Sequence, residues 1–308
     1  MNPGIQSASP GQTTENDGQS VPSLQRPGCA DRVYYFRIFM LVHIAVVTWL
    51  RHRGHTGDYL PPLTDAYLTM ARFGLIALSL AALLPMLRRT AVPLTTLIVG
   101  GIAVMGLPLT ANHIYLEFFS LVLLCFVGDG DEDECQLVVD VFRWMIAIVL
   151  FYTGLQKVIY GQYFDGAFLA FMTNSDARFA TMFQYVMPSA EFQALREIDI
   201  RTVGSGPIRF HSWHMLLCSN CVYLAEMGLP LLLMIRRTRA FACFAMILFV
   251  IAIELGAREV MFGFLFVNLI LLTCERNWVK WFLPVSVTFY LYLILANAGF
   301  LPNYHLRT

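Results

Sequence analysis

One stretch of the sequence places an amine among apolar and aromatic residues. "FYTGLQKVIYGQYFDG", residues 151–166, ends an apolar run and carries Lys157, with no acidic residue after it until Asp165. One interpretation is a lysine near a helix end, with its aliphatic chain in lipid and its ammonium among headgroups. In the other, Lys157 faces the interior of a helical bundle, where desolvation lowers the pKa of the amine and makes it a base or nucleophile. A carboxylate from another helix would oppose that shift.

A histidine at the start of another apolar run is the second candidate. In "NHIYLEFF", residues 112–119, Asn112 is suited to cap a helix whose first turn holds His113. A neutral imidazole there could donate a hydrogen bond to a developing oxyanion or exchange a proton. The positive end of the helix dipole helps to keep it uncharged. The alternative is an interfacial side chain with one hydrated edge.

Two acidic residues lie inside apolar runs. Glu226 is in the middle of "NCVYLAEMGLPLLL". A carboxyl at bilayer depth costs about 2.5 kcal/mol or more on insertion scales, so we expect Glu226 to face the interior and to have a partner. It either fixes helix packing, protonated or paired, or supports a site. Glu254 raises the same question, and Arg258 one turn later could pair with it.

The segment "HSWHMLLCSNC", residues 211–221, contains two patterns that could bind a metal or do redox chemistry. His211 and His214 are three residues apart, and Cys218 and Cys221 follow. Structural zinc needs four ligands on compact loops, whereas this stretch is one apolar helix, so no metal is expected. A helical cysteine pair is a weak redox signal without a thioredoxin-like context. His214 is kept as a supporting residue of a site.

The composition indicates that these residues belong to a membrane protein. Of the 308 residues, 57% are hydrophobic and 14% charged, and the mean hydropathy is +0.60. A soluble domain would carry roughly a quarter charged residues. The missing charge therefore points to a lipid environment as a partner of the chain. The formal net charge is zero, so no nucleic-acid partner is indicated.

The apolar runs predict an all-α polytopic bundle of about eight or nine transmembrane helices. Residues 1–32 are rich in Gly, Pro, Ser, Gln and Asn and are predicted to be a disordered tail. Residues 33–308 form a single transmembrane domain, in which 162–211 is an extramembrane or interfacial connection with short helices. The predicted spans are 33–50, 66–87, 91–110, 113–127, 137–160, 212–235, 240–256, 258–274 and 281–299. The segments 240–256 and 258–274 could instead form a re-entrant hairpin.

The arginines and lysines of the short loops favour a cytoplasmic N-terminus. With an odd number of spans, the N-terminus shares a side with Arg88 and Arg89 and with the basic residues near 236–239 and 276–280. The same alternation brings one set of residues to the non-cytoplasmic face. The set comprises Asn112, His113, Lys157, His211, His214 and the turn at Arg258 and Glu259. This gathering is the main indication of a site.

The order of these motifs resembles the membrane domain of the vitamin K-dependent gamma-carboxylases and their bacterial relatives, the HTTM (horizontally transferred transmembrane) proteins. The matching pieces are "NHIYL", "FYTGLQKVIYGQYFDG" and "EMGLPLLL", within roughly residues 33–275. The most specific is the Tyr/Phe-x-x-Gly-x-x-Lys motif followed by an aromatic residue and a glycine. The resemblance implies a lyase-type or oxidative membrane enzyme that uses a reduced, vitamin K-like quinone.

By this resemblance, Lys157 is the base that deprotonates the quinol, and His113 stabilises the anion that results. In the carboxylases, oxygen addition then produces a strong base that carboxylates a glutamate side chain. A lysine can serve as the base near neutral pH only where burial lowers its pKa by several units. The family role and the buried interpretation of Lys157 therefore require the same environment.

The sequence also departs from the family pattern. Tyr163 stands where relatives usually carry a tryptophan, one residue further from the lysine, and "FVIAIEL" lacks a histidine that relatives often have. The chain ends soon after the last span, without the large extramembrane domain of true carboxylases. We therefore expect modification of a peptide or small molecule, and carboxylation is one form of it. The alternative is a non-catalytic membrane protein that binds lipid or quinone, or assists a partner.

Overall fold

A computed structural model describes residues 28–51, 62–105, 112–128, 132–199 and 208–302. Over these residues the chain forms twelve helices and no strand, which confirms the predicted all-α class. In chain order the helices are α1 (Cys29–Arg51), α2 (Pro62–Ala81), α3 (Pro85–Met105), α4 (Asn112–Cys125), α5 (Glu132–Tyr160), α6 (Ala167–Ser175), α7 (Ala177–Phe183), α8 (Ser189–Glu197), α9 (Trp213–Met234), α10 (Arg239–Ala257), α11 (Val260–Thr273) and α12 (Trp278–Asn297).

Six of the described helices are long and apolar enough to cross a bilayer: α1, α3, α5, α9, α10 and α12. Three more, α2, α4 and α11, contain shorter apolar segments. The outer faces of the bundle carry large apolar side chains, and Trp144, Leu224 and Phe244 are all strongly exposed. Such faces suit contact with lipid. These features suggest a membrane-spanning protein, and each of the nine predicted spans coincides with a helix.

Helix α11 lies at the centre of the bundle. It packs on α1, α5, α10 and α12, and most of its residues are buried, including Leu265, Phe266 and Leu269. A helix that is apolar on every side is typical of a core position. Fourteen residues extend about 21 Å, so α11 is shorter than a hydrocarbon core. Its neighbours, rather than lipid, provide most of its surroundings.

The predicted tail is too long at its carboxyl end. Helix α1 already begins at Cys29, whereas residues 1–27 lie outside the described part of the chain. The carboxylate of Glu132, at the start of α5, accepts hydrogen bonds from the backbone N–H groups of Cys29 and Ala30. Asp31 adds a negative charge in the first turn, where it complements the helix dipole. These contacts explain why residues 29–32 are helical.

The predicted boundary between the second and third spans is also wrong. The turn falls at residues 82–84, and α3 begins at Pro85 rather than at residue 91. Proline suits the first position of a helix, because its fixed φ matches the helix and its missing N–H would have no partner there. Arg88 and Arg89 therefore belong to the first turns of α3, and the Arg88 guanidinium donates to the carbonyl of Ala82.

The connection between α5 and α9 folds into a layer with its own small core, which we call the connecting layer (described residues 161–199 and 208–212). Its helices α6, α7 and α8 bury Leu169, Phe183 and Leu195 together with Phe210. The Asn174 amide donates to the carbonyls of Leu195 and Ile198 and thereby ties α6 to the end of α8. The short helices predicted within 162–211 are thus confirmed over the described residues.

A tight turn joins α10 to α11 and contacts the connecting layer. Arg258 closes α10 in the left-handed conformation, with φ of 53°. The Arg178 guanidinium of α7 donates to the carbonyl of Ala257, and Gly256 packs against Met182 and Phe179. Helices α10 and α11, on either side of "ELGARE", therefore form an antiparallel hairpin, and α7 contacts its turn.

Candidate functional site

The structure joins Lys157 to Glu226. The Lys157 Nζ lies 2.6 Å from both carboxylate oxygens of Glu226. The side chain of Glu226 is 6% exposed and that of Lys157 is 21% exposed. This confirms that Glu226 faces the interior with a partner. It also favours the buried interpretation of Lys157 over a lysine that reaches the headgroups.

A glycine permits the close approach of α5 and α9 that this contact requires. A Cβ atom at Gly154, one turn before Lys157, would lie 2.7 Å from Met227 Cγ, 3.0 Å from Glu226 Cβ and 3.1 Å from the Tyr223 carbonyl oxygen. With any other residue Met227 would have to move, and the other two contacts would be unusually tight, so the glycine of the "YTGLQK" motif has a packing function. It sets the distance between the helices that carry the amine and the carboxylate.

Glu226 also occupies a special position in its own helix. Pro230 lies inside α9 four residues later, and a proline has no N–H to donate to the carbonyl of residue i−4. That carbonyl belongs to Glu226. The sequence thus weakens α9 locally at the turn that presents the carboxylate to Lys157.

An aromatic side chain from the connecting layer covers the amine. The Lys157 Nζ lies 5.3 Å from the centre of the Tyr163 ring, within the range of a cation–π interaction. Gly161, with φ of 70°, turns the chain after α5, and the Ser219 hydroxyl of α9 donates to the Tyr163 carbonyl. Burial, reinforced by the Glu226 carboxylate, raises the pKa of the Tyr163 phenol well above its ordinary value. The phenol therefore stays neutral and can donate a hydrogen bond.

This geometry defines what the pair can do chemically. An adjacent carboxylate stabilises an ammonium. Glu226 is therefore the carboxylate from another helix that the sequence allowed as a possible partner of Lys157. Burial, however, disfavours both charges. Transfer of one proton from Nζ to Glu226 converts the ion pair into a neutral amine and a neutral acid without a change in net charge. The pair can therefore present an amine base while it stores a proton next to it.

The other predicted site residues do not lie in this pair. Helix α4 begins at Asn112, and His113 is half-buried in its first turn. Helix α4 packs mainly on α3 and more lightly on α1 and α5. His214 is twelve residues before Glu226 on α9, which is about 18 Å along the helix axis, and its ring contacts Trp213. His214 is therefore not part of the Lys157–Glu226 pair, because α9 extends well beyond the end of α5 into the connecting layer.

A second buried acid–base cluster was missed in the sequence. His43 of α1 lies between two other helices: its Nδ1 is 2.6 Å from the Tyr290 hydroxyl of α12, and its Nε2 is 3.4 Å from Glu117 Oε1 of α4. All three side chains are buried. The available signal was a histidine inside the apolar run "FMLVHIAVV", since ionisable residues within a membrane span usually have a specific role. We call these residues the core triad.

Glu254 has no partner of the expected kind. Among the described residues, neither of its buried carboxylate oxygens accepts a hydrogen bond from a side chain, so the pairing with Arg258 that the sequence suggested is not formed. Cys218 and Cys221 are free and exposed. Within the described part of the chain, no group of three or more His, Cys, Asp or Glu side chains could hold a metal ion.

Compared with known protein families, with curated proteins and with solved structures, the chain gives no match. The resemblance to the carboxylases is an expectation from sequence.

Proposed function

We propose that the chain is a multi-pass membrane enzyme in which Lys157 acts as a general base and Glu226 as its proton acceptor. The observation that supports this most strongly is the contact between the Lys157 amine and a buried carboxylate at the end of α5. A neutral amine can abstract a proton from a weakly acidic hydroxyl, and the adjacent carboxylate can take up the proton that the ammonium must first release.

The proposed proton transfers balance in charge. The pair starts as an ammonium and a carboxylate, and Nζ passes one proton to Glu226. The neutral amine then removes a proton from a weakly acidic hydroxyl at the site, which leaves an ammonium, a carboxylic acid and one anion. The net charge of the site is zero before and after the reaction. Lys157, in its ammonium form, remains beside the anion and stabilises it.

The proposal includes an aromatic, lipid-soluble cofactor such as a reduced quinone, and neighbouring aromatic rings support it. Tyr163 stacks on Phe168, and Phe164 packs edge-on against Tyr223, so two pairs of rings surround the turn next to the amine. These rings would hold the group. A reduced quinone, when bound, would supply an acidic hydroxyl and the electrons for a reaction with oxygen. His113, on α4, would serve as the donor to negative charge that the family resemblance assigns to it.

The same proposal includes the substrate and the membrane topology. A peptide or small molecule would be oxidatively modified or carboxylated. The six long and three shorter apolar helices would give eight or nine crossings, with the N-terminus in the cytoplasm and the Lys157–Glu226 pair towards the opposite face. The connecting layer would lie at that membrane surface and limit access to the pair.

The chain contains two lysines, and the second supplies a matched control. Lys280, in the first turn of α12, is exposed and lies over the ring of Tyr35 at 5.8 Å. The proposal is tested by oxygen-dependent turnover of reduced vitamin K by the full-length protein in lipid nanodiscs. We expect turnover by the wild type and by Lys280→Met, and a loss of about 100-fold or more in Lys157→Met.

Two results would contradict the proposal. One is unchanged turnover in Lys157→Met, which would exclude the amine as the base. The other is an inactive wild type that still binds the reduced quinone, which would favour the rival function of a membrane protein that binds quinone or lipid without catalysis.

A further inference from the structure

A cavity opens between α10, α11 and α12, and its lining does not include Lys157 or Glu226. Its volume is about 280 Å³. Nine of its ten lining residues are apolar or glycine, and the tenth is Glu254. We call this cavity the Glu254 crevice. Its size is close to the lower end of the range for small-molecule sites, and such sites commonly combine apolar walls with few polar groups.

The carboxyl group of Glu254 has a defined position but no counter-ion. Gly263 of α11 leaves room for it, because a Cβ atom there would lie 2.8 Å from Glu254 Cγ and 2.9 Å from Cδ. Both oxygens are buried and accept no hydrogen bond from any described side chain. The neighbouring cation, Arg178, is bonded to Asp176 and to the carbonyl of Ala257. A buried acid without a donor is costly unless something else supplies one.

The crevice has one polar end and one apolar end. Glu254 lies one turn before the end of α10, and Ile247 lines the same cavity seven residues earlier. Seven residues correspond to about 10 Å along the helix. Val250, Phe264 and Val267 line the space as well. The carboxyl group is thus near a helix end, where headgroups lie, and the apolar walls extend from it along the bundle.

We propose that the Glu254 crevice binds a single-chain amphiphile with a primary ammonium head. The ammonium carries three N–H donors and a positive charge, and it can serve both unpartnered oxygens of Glu254. The tail lies against the apolar walls. Its transfer out of water, or its replacement of a lipid chain, contributes favourable binding free energy. This site is separate from the Lys157–Glu226 pair, and its existence does not depend on the function proposed for that pair.

A series of ligands with the same tail isolates the contribution of the head. Decylamine, decanol and decanoate are added to the full-length protein in detergent, and bound ligand is counted by native mass spectrometry. We expect decylamine to bind about tenfold or more tightly than decanol, because a charged hydrogen bond is worth more than a neutral one. Decanoate is expected to bind most weakly, since it places a second carboxylate against Glu254.

Three variants test the assignment. Glu254→Gln should reduce the affinity for decylamine about tenfold and leave that for decanol nearly unchanged. Glu275→Gln, an exposed acid at the other end of α11, is the matched control and should change neither. Ile251→Trp fills the apolar part of the crevice from its exposed side and should weaken all three ligands, and it keeps the test valid if Glu254→Gln does not fold. Equal binding of the three ligands, or unchanged decylamine binding in Glu254→Gln or Ile251→Trp, would overturn the proposal.

Discussion

The Lys157–Glu226 pair and the core triad are both buried acid–base clusters, but they differ in access. The triad joins α1, α4 and α12, and all three of its side chains are almost completely buried. The pair joins α5 and α9 at the end of α5, where Lys157 keeps about a fifth of its side chain exposed. A closed network fixes helices in place, whereas a partly open one can also meet a substrate. We therefore expect the triad to contribute to stability and the pair to contribute to the proposed chemistry.

Removing both charges of the pair should produce the largest loss of turnover. The same double variant tests whether the pair is structural, like the triad. In Lys157→Met combined with Glu226→Leu, the ion pair is replaced by apolar side chains of similar size. Such replacements are often neutral or stabilising. We expect the free energy of unfolding to stay within about 1 kcal/mol of the wild type and the turnover of reduced vitamin K to fall about 100-fold or more. A double variant that unfolds would instead show that the pair is structural.

Separating the helices of the pair should affect both stability and turnover. Gly154→Ala forces a Cβ against Met227 and the backbone of Tyr223, so we expect a loss of about 1–3 kcal/mol and weaker turnover, because Lys157 moves away from Glu226. Gly228→Ala, in α9, is the control, since a Cβ there meets nothing within 4 Å. Thermal unfolding of both variants in detergent provides the measurement. Equal stability of the two variants would refute the packing role of Gly154.

The triad should respond in the opposite way. Tyr290→Phe leaves the Nδ1 of His43 without its partner, which should cost about 1–3 kcal/mol, while turnover per folded molecule remains unchanged. Tyr292→Phe is the matched control two residues away, because its hydroxyl donates to the carbonyl of Pro302 at an exposed position and should contribute little. A loss of turnover in folded Tyr290→Phe would show that the triad takes part in the chemistry.

The connecting layer should have the smallest effect and a defined dependence on pH. Burial opposes the ionisation of Glu191, but hydrogen bonds from Ser212 and from the backbone of His211 outweigh it and lower the pKa of Glu191. Its stabilisation is therefore complete above the ordinary carboxyl pKa of about 4.3 and is lost as the pH falls through the lower folded value. We expect Glu191→Ala to cost about 1 kcal/mol at neutral pH and less in acid.

Limited proteolysis of the connecting layer measures this contribution. Glu197→Ala, exposed at the end of the same helix, should leave the cleavage rate unchanged. A Glu191→Ala variant with the same difference from wild type at every pH would contradict the assigned role of the ionised carboxylate.

Much of the bundle could be predicted because the length of an apolar helix is visible as a run of consecutive apolar residues. All nine apolar segments form helices, and the errors lie at their ends. Helix α1 starts earlier because Glu132, a hundred residues away, caps it, and a contact of that separation leaves no local signal. The turn at residues 82–84 was predicted too late in the sequence, because Arg88 and Arg89 were predicted to belong to a loop. Pro85 was the better indication of a helix start.

The candidate site could be predicted only in part, for the same reason. Lys157 and Glu226 stood out individually, as charges in apolar runs, but their pairing depends on how α5 meets α9. Gly154 was visible as part of a motif, and its packing role appears only when Met227 lies against it. His214 was grouped with Lys157 by counting spans, which ignores the extra length of α9.

Amine labelling shows whether the site disfavours an ammonium on Lys157 once Glu226 is neutral. Because the chain has two lysines, Lys280 serves as an internal reference. Glutamine mimics the protonated form of Glu226 in shape and charge. The full-length wild type and Glu226→Gln are labelled in nanodiscs with an amine-acylating reagent from pH 6 to 9, and mass spectrometry quantifies both sites. We predict that Glu226→Gln increases the labelling of Lys157 relative to that of Lys280, whereas the wild-type pair protects Lys157. If Lys157 followed Lys280 at every pH in that variant, the amine would be in a water-like environment and could not be the base.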